Sequence, residues 1–78
     1  MRVLLFASYA DALGAPSIDV ALPAGGTVDD LVRAVRALPG ARSVPPQPLV
    51  AVNLAYASGD RVLADGDEVA LIPPVAGG

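Results

Sequence analysis

Residues 27–38 have the sequence TVDDLVRAVRAL, and this stretch carries the strongest structural signal in the chain. Its apolar residues recur every three or four positions and form one stripe, made up of Val28, Leu31, Val32, Val35 and Leu38. The hydroxyl of Thr27 can cap the first turn, and the two aspartates that follow suit the positive end of a helix dipole. Because Pro39-Gly40 stops the pattern, the sequence predicts a helix from Val28 to Leu38.

Short apolar or alternating runs on both sides of this helix predict strands. In chain order they are Val3 to Ala7, Ser17 to Leu22, Leu49 to Asn53, the short edge strand Ala55 to Ala57, and Glu68 to Ile72. Pro73-Pro74 ends the last strand, because proline has no N–H to donate to a sheet. Tyr9 to Pro16 is ambiguous, with one helical turn possible before Gly14. The proline-rich segment Ala41 to Pro48 is predicted to be a loop.

The order of these elements predicts a single domain of the α+β class. One main helix crosses one mixed sheet of four to five strands. Two early strands, a crossing helix and later strands follow the order of the β-grasp, or ubiquitin-like, fold. We predict that this domain covers residues 1–73 and that residues 74–78 form a flexible tail with no structure of its own.

The residue inventory excludes several kinds of active site. The 78 residues include no cysteine and no histidine, and all five basic residues are arginines, so lysine is absent as well. Without these residues the chain cannot form disulfides, bind a metal through thiolate or imidazole ligands, or use a histidine base or a Schiff-base lysine. The net charge of −3 argues against nucleic-acid binding, which needs a basic face.

The distribution of apolar residues predicts a cytoplasmic protein that does not contact a membrane. The segment Met1 to Tyr9 has only a short apolar run, too brief for the hydrophobic region of a signal peptide. No stretch approaches 18 consecutive apolar residues. Because 54% of the residues are hydrophobic, we expect the chain to fold and to leave some apolar surface for a partner.

The remaining acidic and aromatic side chains have simpler explanations than catalysis. Asp29-Asp30 suits the start of a helix. The acidic residues near the last turn are too few for a calcium loop; they are Asp65, Asp67 and Glu68. The two tyrosines have no visible base partner and are expected to serve packing; they are Tyr9 and Tyr56. The sequence therefore predicts no metal site and no bound cofactor.

The C-terminal segment Pro73-Pro74-Val75-Ala76-Gly77-Gly78 suits insertion into a narrow channel. The prolines stiffen its base, and glycine lets a backbone pass where any side chain would collide. From Pro74 to Gly78 it reaches at most about 17 Å, at roughly 3.3–3.6 Å per residue. The group at its tip is the α-carboxylate of Gly78, which we predict to be the reacting group. Because an unactivated carboxylate is a poor electrophile, it needs prior activation, usually by ATP.

The sequence resembles the small, sulfur-carrier subunits of molybdopterin synthase. The resemblance covers most of the chain and includes Val3-Leu4-Leu5-Phe6-Ala7 and Val50-Ala51-Val52-Asn53. It is most specific at the end, in Leu63-Ala64-Asp65-Gly66-Asp67-Glu68-Val69-Ala70 followed by Pro73-Pro74-Val75-Ala76-Gly77-Gly78. One departure is Ala10-Asp11, which stands where the family often has an Arg-Glu pair.

This resemblance implies a β-grasp fold and a reaction sequence in molybdenum cofactor biosynthesis. A ubiquitin-activating-enzyme-like adenylyltransferase consumes ATP to adenylate Gly78, and a sulfur donor protein converts the adenylate to a thiocarboxylate, or 1-thioglycine. The tail residues that enter the large subunit are Pro74, Val75, Ala76 and Gly77. Sulfur then passes to cyclic pyranopterin monophosphate. The catalytic groups belong to the large subunit, which forms a heterotetramer with two copies of the small one.

Strand alternation predicts an apolar patch on the outer face of the sheet. In a β-grasp sheet the first and last strands are parallel neighbours, and Arg2 and Glu68 mark their outer faces because charges are seldom buried. The residues that then face outward are Leu4, Phe6, Ala70 and Ile72. Those that face the helix are Val3, Leu5, Ala7, Val69 and Leu71. We expect the outward residues to dock on the large subunit, the alternative being that a loop covers them.

Three other functions stay open at this level. A sulfur carrier for thiamine, cysteine or tRNA thiolation shares the fold, the diglycine end and the activation chemistry. A ubiquitin-like modifier joins Gly78 to lysines of target proteins. A β-grasp interaction domain with an inert tail needs no chemistry at all.

Overall fold

Five short strands and two α-helices make up the computed structural model, which describes residues 1–74. The strands are β1 (Arg2–Leu5), β2 (Ser17–Asp19), β3 (Leu49–Val52), β4 (Ala55–Tyr56) and β5 (Val69–Ile72). The helices are α1 (Ala7–Leu13), α2 (Val28–Arg36) and a short 3-10 helix, Ala41–Ser43. The sheet order is β2-β1-β5-β3-β4, with β1 and β5 parallel and the other pairs antiparallel. This is an α+β fold with the β-grasp topology.

The first turn of α2 carries the predicted cap. The Thr27 hydroxyl accepts a hydrogen bond from the Asp30 N–H (3.3 Å), and the Asp30 carboxylate accepts one from the Thr27 N–H (3.0 Å). The Thr27 N–H is the main reason why the pKa of Asp30 lies below its usual value, and Arg33, 3.5 Å away, adds to the effect. The predicted end at Leu38 is wrong: α2 ends at Arg36, because the Leu38 N–H turns back to the Val35 carbonyl.

The core lies between α2 and the inner face of the sheet. The strands contribute alternate residues to it, namely Val3, Leu5, Val50, Val52, Val69 and Leu71. The helix contributes its apolar stripe, namely Val28, Leu31, Val32 and Val35. Each such side chain stabilises the fold by about 1.5–3 kcal/mol relative to exposure to water. Burial of this one sheet face and this one helix stripe therefore orients α2 across the sheet.

The first predicted strand ends earlier than expected. β1 stops at Leu5, and Phe6 is the N-terminal cap residue of α1. Ala7 was predicted to face the helix from a strand. It is instead the first residue of α1, where it is exposed and has a positive φ of 47°. Tyr9 explains the change, because its buried ring anchors α1 to the core. The ambiguous segment is thus a seven-residue helix, which ends at Gly14 in the left-handed conformation.

Other predicted boundaries also shift inward. β2 ends at Asp19 instead of Leu22, although Val20 continues the alignment by exchanging backbone hydrogen bonds with Met1. β3 ends one residue early because Asn53 begins a tight turn, and β4 keeps only two residues. The segment predicted to be a loop contains the 3-10 helix Ala41–Ser43. Single backbone hydrogen bonds continue beyond the strand ends at Val20 and at Ala57, whose N–H donates to the Val50 carbonyl.

Both α-helices are short. α1 has seven residues and α2 has nine, which correspond to about 10 and 14 Å at 1.5 Å per residue. Within residues 1–74, no helix is long and apolar enough to cross a bilayer. The expected cytoplasmic location and the expected absence of membrane contact stay predictions.

Gly40 lets the chain leave α2 and pass close to α1. Its φ is +86°, and a β-carbon built on it would lie 2.5 Å from the backbone oxygen of Ala12. Gly66 has almost the same φ, +87°, but a β-carbon there would meet nothing within 4 Å. Both glycines therefore require a residue that tolerates positive φ, and only Gly40 also requires the absence of a β-carbon next to Ala12.

We expect Gly40→Ala to lower the free energy of unfolding by about 2–4 kcal/mol, because left-handed strain and a backbone clash add up. Gly66→Ala is the matched control, and its strain alone should cost about 1 kcal/mol. Urea unfolding followed by circular dichroism measures both. Equal losses for the two variants would contradict the close approach of Gly40 to Ala12.

Candidate functional site

The root of the C-terminal tail lies at the centre of the sheet. β5 is flanked by β1 on one side and β3 on the other, and its last residue, Ile72, is paired with Leu49. Pro73 is half-buried and Pro74 is exposed. The other predicted tail residues lie outside the described residues; they are Val75, Ala76, Gly77 and Gly78. Their roles, and the domain boundary after residue 73, stay predictions.

The outer face of the sheet is apolar along its middle. One row crosses four strands, because Leu4 is paired with Ala70, Ala70 with Ala51, and Ala51 with Tyr56. A second row joins Ile72 to Leu49. Residues paired across neighbouring strands share a face, so these side chains all lie opposite the core.

Apart from Leu49, these side chains line a shallow depression of about 300 Å³. We call its apolar lining the outer patch, which consists of Leu4, Phe6, Ala51, Leu54, Tyr56, Ala70 and Ile72. Phe6 is 48% exposed and Tyr56 is 72% exposed, whereas Ala70 is 9% exposed and lies at the floor. The four residues predicted to face outward are thus brought together, and no described loop covers them completely. Their role in docking stays a prediction.

Three members of the outer patch were missed by the sequence analysis, namely Ala51, Leu54 and Tyr56. Alternation within the predicted third and fourth strands could have indicated Ala51 and Tyr56. Leu54 carried no such signal, because it lies in the two-residue turn that joins β3 to β4. Its position in the turn depends on where the strands stop pairing.

The turn between β3 and β4 has an unusual backbone. Asn53 and Leu54 have positive φ values of 51° and 70°, the conformation of a type I′ hairpin turn. Asparagine tolerates this region, whereas a leucine there costs roughly 1–2 kcal/mol. Leu54 is also 91% exposed.

Asp67 ties this turn to the start of β5. Its carboxylate accepts hydrogen bonds from the Ala64 N–H (2.9 Å) and the Asn53 side-chain amide (3.0 Å). These bonds, the Ala64 bond first, hold the pKa of Asp67 below its ordinary value, and the charge of Arg61 lowers it further. The Asn53 amide oxygen in turn accepts the Glu68 N–H (2.9 Å). The network orients the hairpin at the edge of the outer patch.

Tyr9 and Asp30 both have structural surroundings within residues 1–74. Tyr9 is buried, burial raises the pKa of its hydroxyl, and that hydroxyl has no hydrogen-bond partner within residues 1–74. Asp30 is engaged in the helix cap. In the same part of the chain, no three acidic side chains are grouped closely enough to hold a metal ion.

Comparison with known proteins finds similarity over nearly the whole chain. The ThiS family matches residues 3–78. The molybdopterin synthase sulfur carrier subunit of Arabidopsis thaliana is 33% identical over 82 residues, covering 100% of this chain and 82% of the relative. The protein of the same name from Dictyostelium discoideum is 37% identical over 81 residues, covering 99% and 94%.

The fold also matches solved structures with a different name. SAMP1 from Haloferax volcanii has a TM-score of 0.84 and 31% sequence identity. The match covers 99% of this chain and 97% of that one. Small archaeal modifier protein 1 from H. volcanii has a TM-score of 0.82 and 31% identity, covering 95% of each chain. The similarity therefore extends over the whole β-grasp domain in both proteins.

We expect Asp67→Asn to destabilise the protein at neutral pH and to have little effect in acid. The folded-state pKa of Asp67 lies below its unfolded value, so the stabilisation is present above about pH 4 and is lost as the pH falls through the folded pKa. Urea unfolding at pH 7 and pH 2.5 measures the difference. Asp65→Asn is the control, because within residues 1–74 the carboxylate of Asp65 accepts no hydrogen bond, whereas that of Asp67 accepts two. A loss that persists unchanged at pH 2.5 would contradict this role of the carboxylate.

Proposed function

The chain belongs to the ThiS family, and on that premise we propose that it is the sulfur-carrier subunit of a molybdopterin synthase. The observation that carries the proposal is the likeness of the entire chain to two proteins of that name, at 33% and 37% identity. The central position of β5 supports it as well, because the strand leads straight into Pro73-Pro74 and the diglycine end.

In the proposed cycle the protein is a carrier whose reactive atom is attached to Gly78. An adenylyltransferase of the ubiquitin-activating type joins the Gly78 carboxylate to the AMP moiety of ATP and releases pyrophosphate. A sulfur donor protein then supplies sulfur at the oxidation level of sulfide, which attacks the acyl adenylate and displaces AMP, so that the terminus becomes a thiocarboxylate. In the large synthase subunit this sulfur passes to cyclic pyranopterin monophosphate. The chain itself binds no cofactor, and ATP is consumed by the activating partner.

The residues of the folded domain agree with a passive role. The chain has no cysteine to hold a persulfide and no histidine or lysine to act as a base near neutral pH. Asp30 and Asp67 are engaged in structural hydrogen bonds, and the Tyr9 hydroxyl is buried. The acid–base groups of the reaction are therefore assigned to the partner, in keeping with a tail that delivers a single functional group.

The outer patch is the proposed docking surface for the large subunit. It is apolar, it includes the partly exposed ring of Phe6, and it reaches Ile72, after which the tail begins. A partner that covers the patch therefore meets the root of the tail as well. Central apolar contacts of this kind supply most of the affinity of protein interfaces.

A second candidate function is that of a ubiquitin-like protein modifier. The likeness to small archaeal modifier protein 1, with a TM-score of 0.82, favours it specifically. Both functions begin with activation of the same C-terminus, and they differ in the acceptor, which is a lysine amine for a modifier and a pyranopterin for the carrier. Immunoblots of cell extracts separate them, because a modifier gives a ladder of high-mass conjugates. A carrier for another thiolation pathway is separated by reconstitution with the pyranopterin substrate.

We expect deletion of Gly78, or one alanine added after it, to abolish sulfur transfer without affecting folding. Both changes move the carboxylate away from the position that the diglycine end presents to the activating enzyme. Intact-mass spectrometry after incubation with adenylyltransferase, ATP and sulfur donor detects the replacement of one oxygen by sulfur. Thermal melting serves as the folding control. A variant that still acquires sulfur and supports dithiolene formation would contradict the proposal.

We expect Phe6→Asp to weaken binding to the large subunit at least tenfold, because burying a phenylalanine is worth about 1.5–3 kcal/mol. The monomer should stay folded, since Phe6 is 48% exposed and aspartate is a favourable cap residue for α1. Val62→Asp is the matched control, because Val62 is 59% exposed and is bridged to Thr27, away from the outer patch. Isothermal titration calorimetry measures both. Unchanged affinity of the Phe6 variant would rule out docking through this patch.

A further inference from the structure

Leu54 occupies a backbone position that suits glycine. Two-residue hairpin turns with positive φ at both positions favour asparagine followed by glycine. Asn53 fits the first position, and its side chain is further used in hydrogen bonds to Asp67 and Glu68. Leu54 fills the second position with a φ of 70°, where a β-carbon crowds the backbone. The folding of the isolated domain therefore gives no reason for a leucine here.

The side chain of Leu54 gains little from packing. At 91% it is the most exposed of the large apolar side chains within residues 1–74, the next being Tyr56 at 72%. A residue that is both strained in its backbone and uncovered in its side chain suggests a role outside the monomer. The role is that of a contact residue in an interface, because Leu54 lines the depression of the outer patch.

Leu54 and the root of the tail lie at opposite ends of that depression. The Asn53 N–H donates to the Glu68 carbonyl (2.8 Å), which places the hairpin turn at the beginning of β5. Phe6 and Ile72 lie at the other end, where Pro73-Pro74 follows. From Val69 to Ile72 the strand rises about 10 Å, at roughly 3.3 Å per residue. A partner that holds the tail and also covers Leu54 thus makes contact at two separated points.

We infer that Leu54 is the distal anchor by which this chain docks on the protein that receives its tail. The inference rests on the proposed function, which makes the large subunit the protein that covers the outer patch. A single contact at the tail leaves the carrier free to rotate, whereas a second contact about 10 Å away fixes its orientation. The matching surface is an apolar pocket for the leucine with a cationic or N–H donor group beside it, because Glu68 lines the same depression.

The test compares two variants that suit the turn but remove the anchor. Leu54→Gly deletes the side chain, and Leu54→Asn keeps a similar size but is polar; both residues tolerate positive φ. We expect both to melt no lower than the wild type and to bind the large subunit about tenfold or more weakly, as judged by calorimetry. In sulfur transfer the KM for the carrier should rise by a similar factor while kcat stays unchanged, because the tail is intact.

Leu38→Asn is the matched control. Leu38 is 39% exposed and follows α2 on the opposite side of the sheet, so this variant should bind like the wild type. Three results overturn the inference. Both Leu54 variants bind the large subunit as tightly as the wild type, or both melt at a lower temperature and this instability accounts for the weaker binding. In the third, the variants lose self-association of this chain but still bind the large subunit. Failure of the wild-type chain itself to bind the large subunit rejects the proposed function, and the inference with it.

Discussion

The parallel pairing of β1 with β5 is the contact on which the rest of the structure depends. It joins Val3, Leu4 and Leu5 from one end of the chain to Val69, Ala70 and Leu71 from the other. A parallel pair needs a long connection, and here everything from α1 to β4 lies within it. Once the pair forms, the last strand is central, and the chain leaves the sheet from its middle.

The same pairing divides the apolar residues between two faces with different purposes. Val69 and Leu71 point into the core against α2, where close packing with valine and leucine side chains leaves them fully covered. Ala70 points the other way, beside Ala51 of β3. These two small residues, surrounded by larger ones, give the outer face a concave centre. The domain thus provides a stable core on one side and a shaped apolar surface beside the tail on the other.

Carrier and modifier functions both rely on a domain of this kind. In both proposed functions the folded body recognises partners, and the proposed chemistry takes place at the C-terminus in an active site that another protein supplies. The body therefore needs a distinctive surface more than a reactive side chain. Leu54 illustrates this requirement, because its backbone conformation and its exposure are unfavourable for the monomer alone.

Local signals in the sequence were enough to locate α2, its N-terminal cap and the approximate positions of the strands, whereas the role of the tail stays a prediction. A helix stripe, a cap and a proline stop act over only a few residues, so they can be recognised without knowledge of the fold. Strand alternation likewise indicated that Leu4, Phe6, Ala70 and Ile72 share a face. It did not indicate the strand ends, because β1 stops where Tyr9 draws α1 onto the core.

The tertiary structure alone decided which side chains surround Leu4, Phe6, Ala70 and Ile72. Ala51 and Tyr56 join the outer patch through the register of β3 with β5 and β4, and Leu54 joins it through the backbone of the turn. Register and turn type depend on hydrogen bonds between segments far apart in the chain, such as that from Asn53 to Asp67. The sequence therefore determined which residues are apolar and roughly where the strands and α2 lie, and only long-range pairing decided which of the apolar residues form one surface.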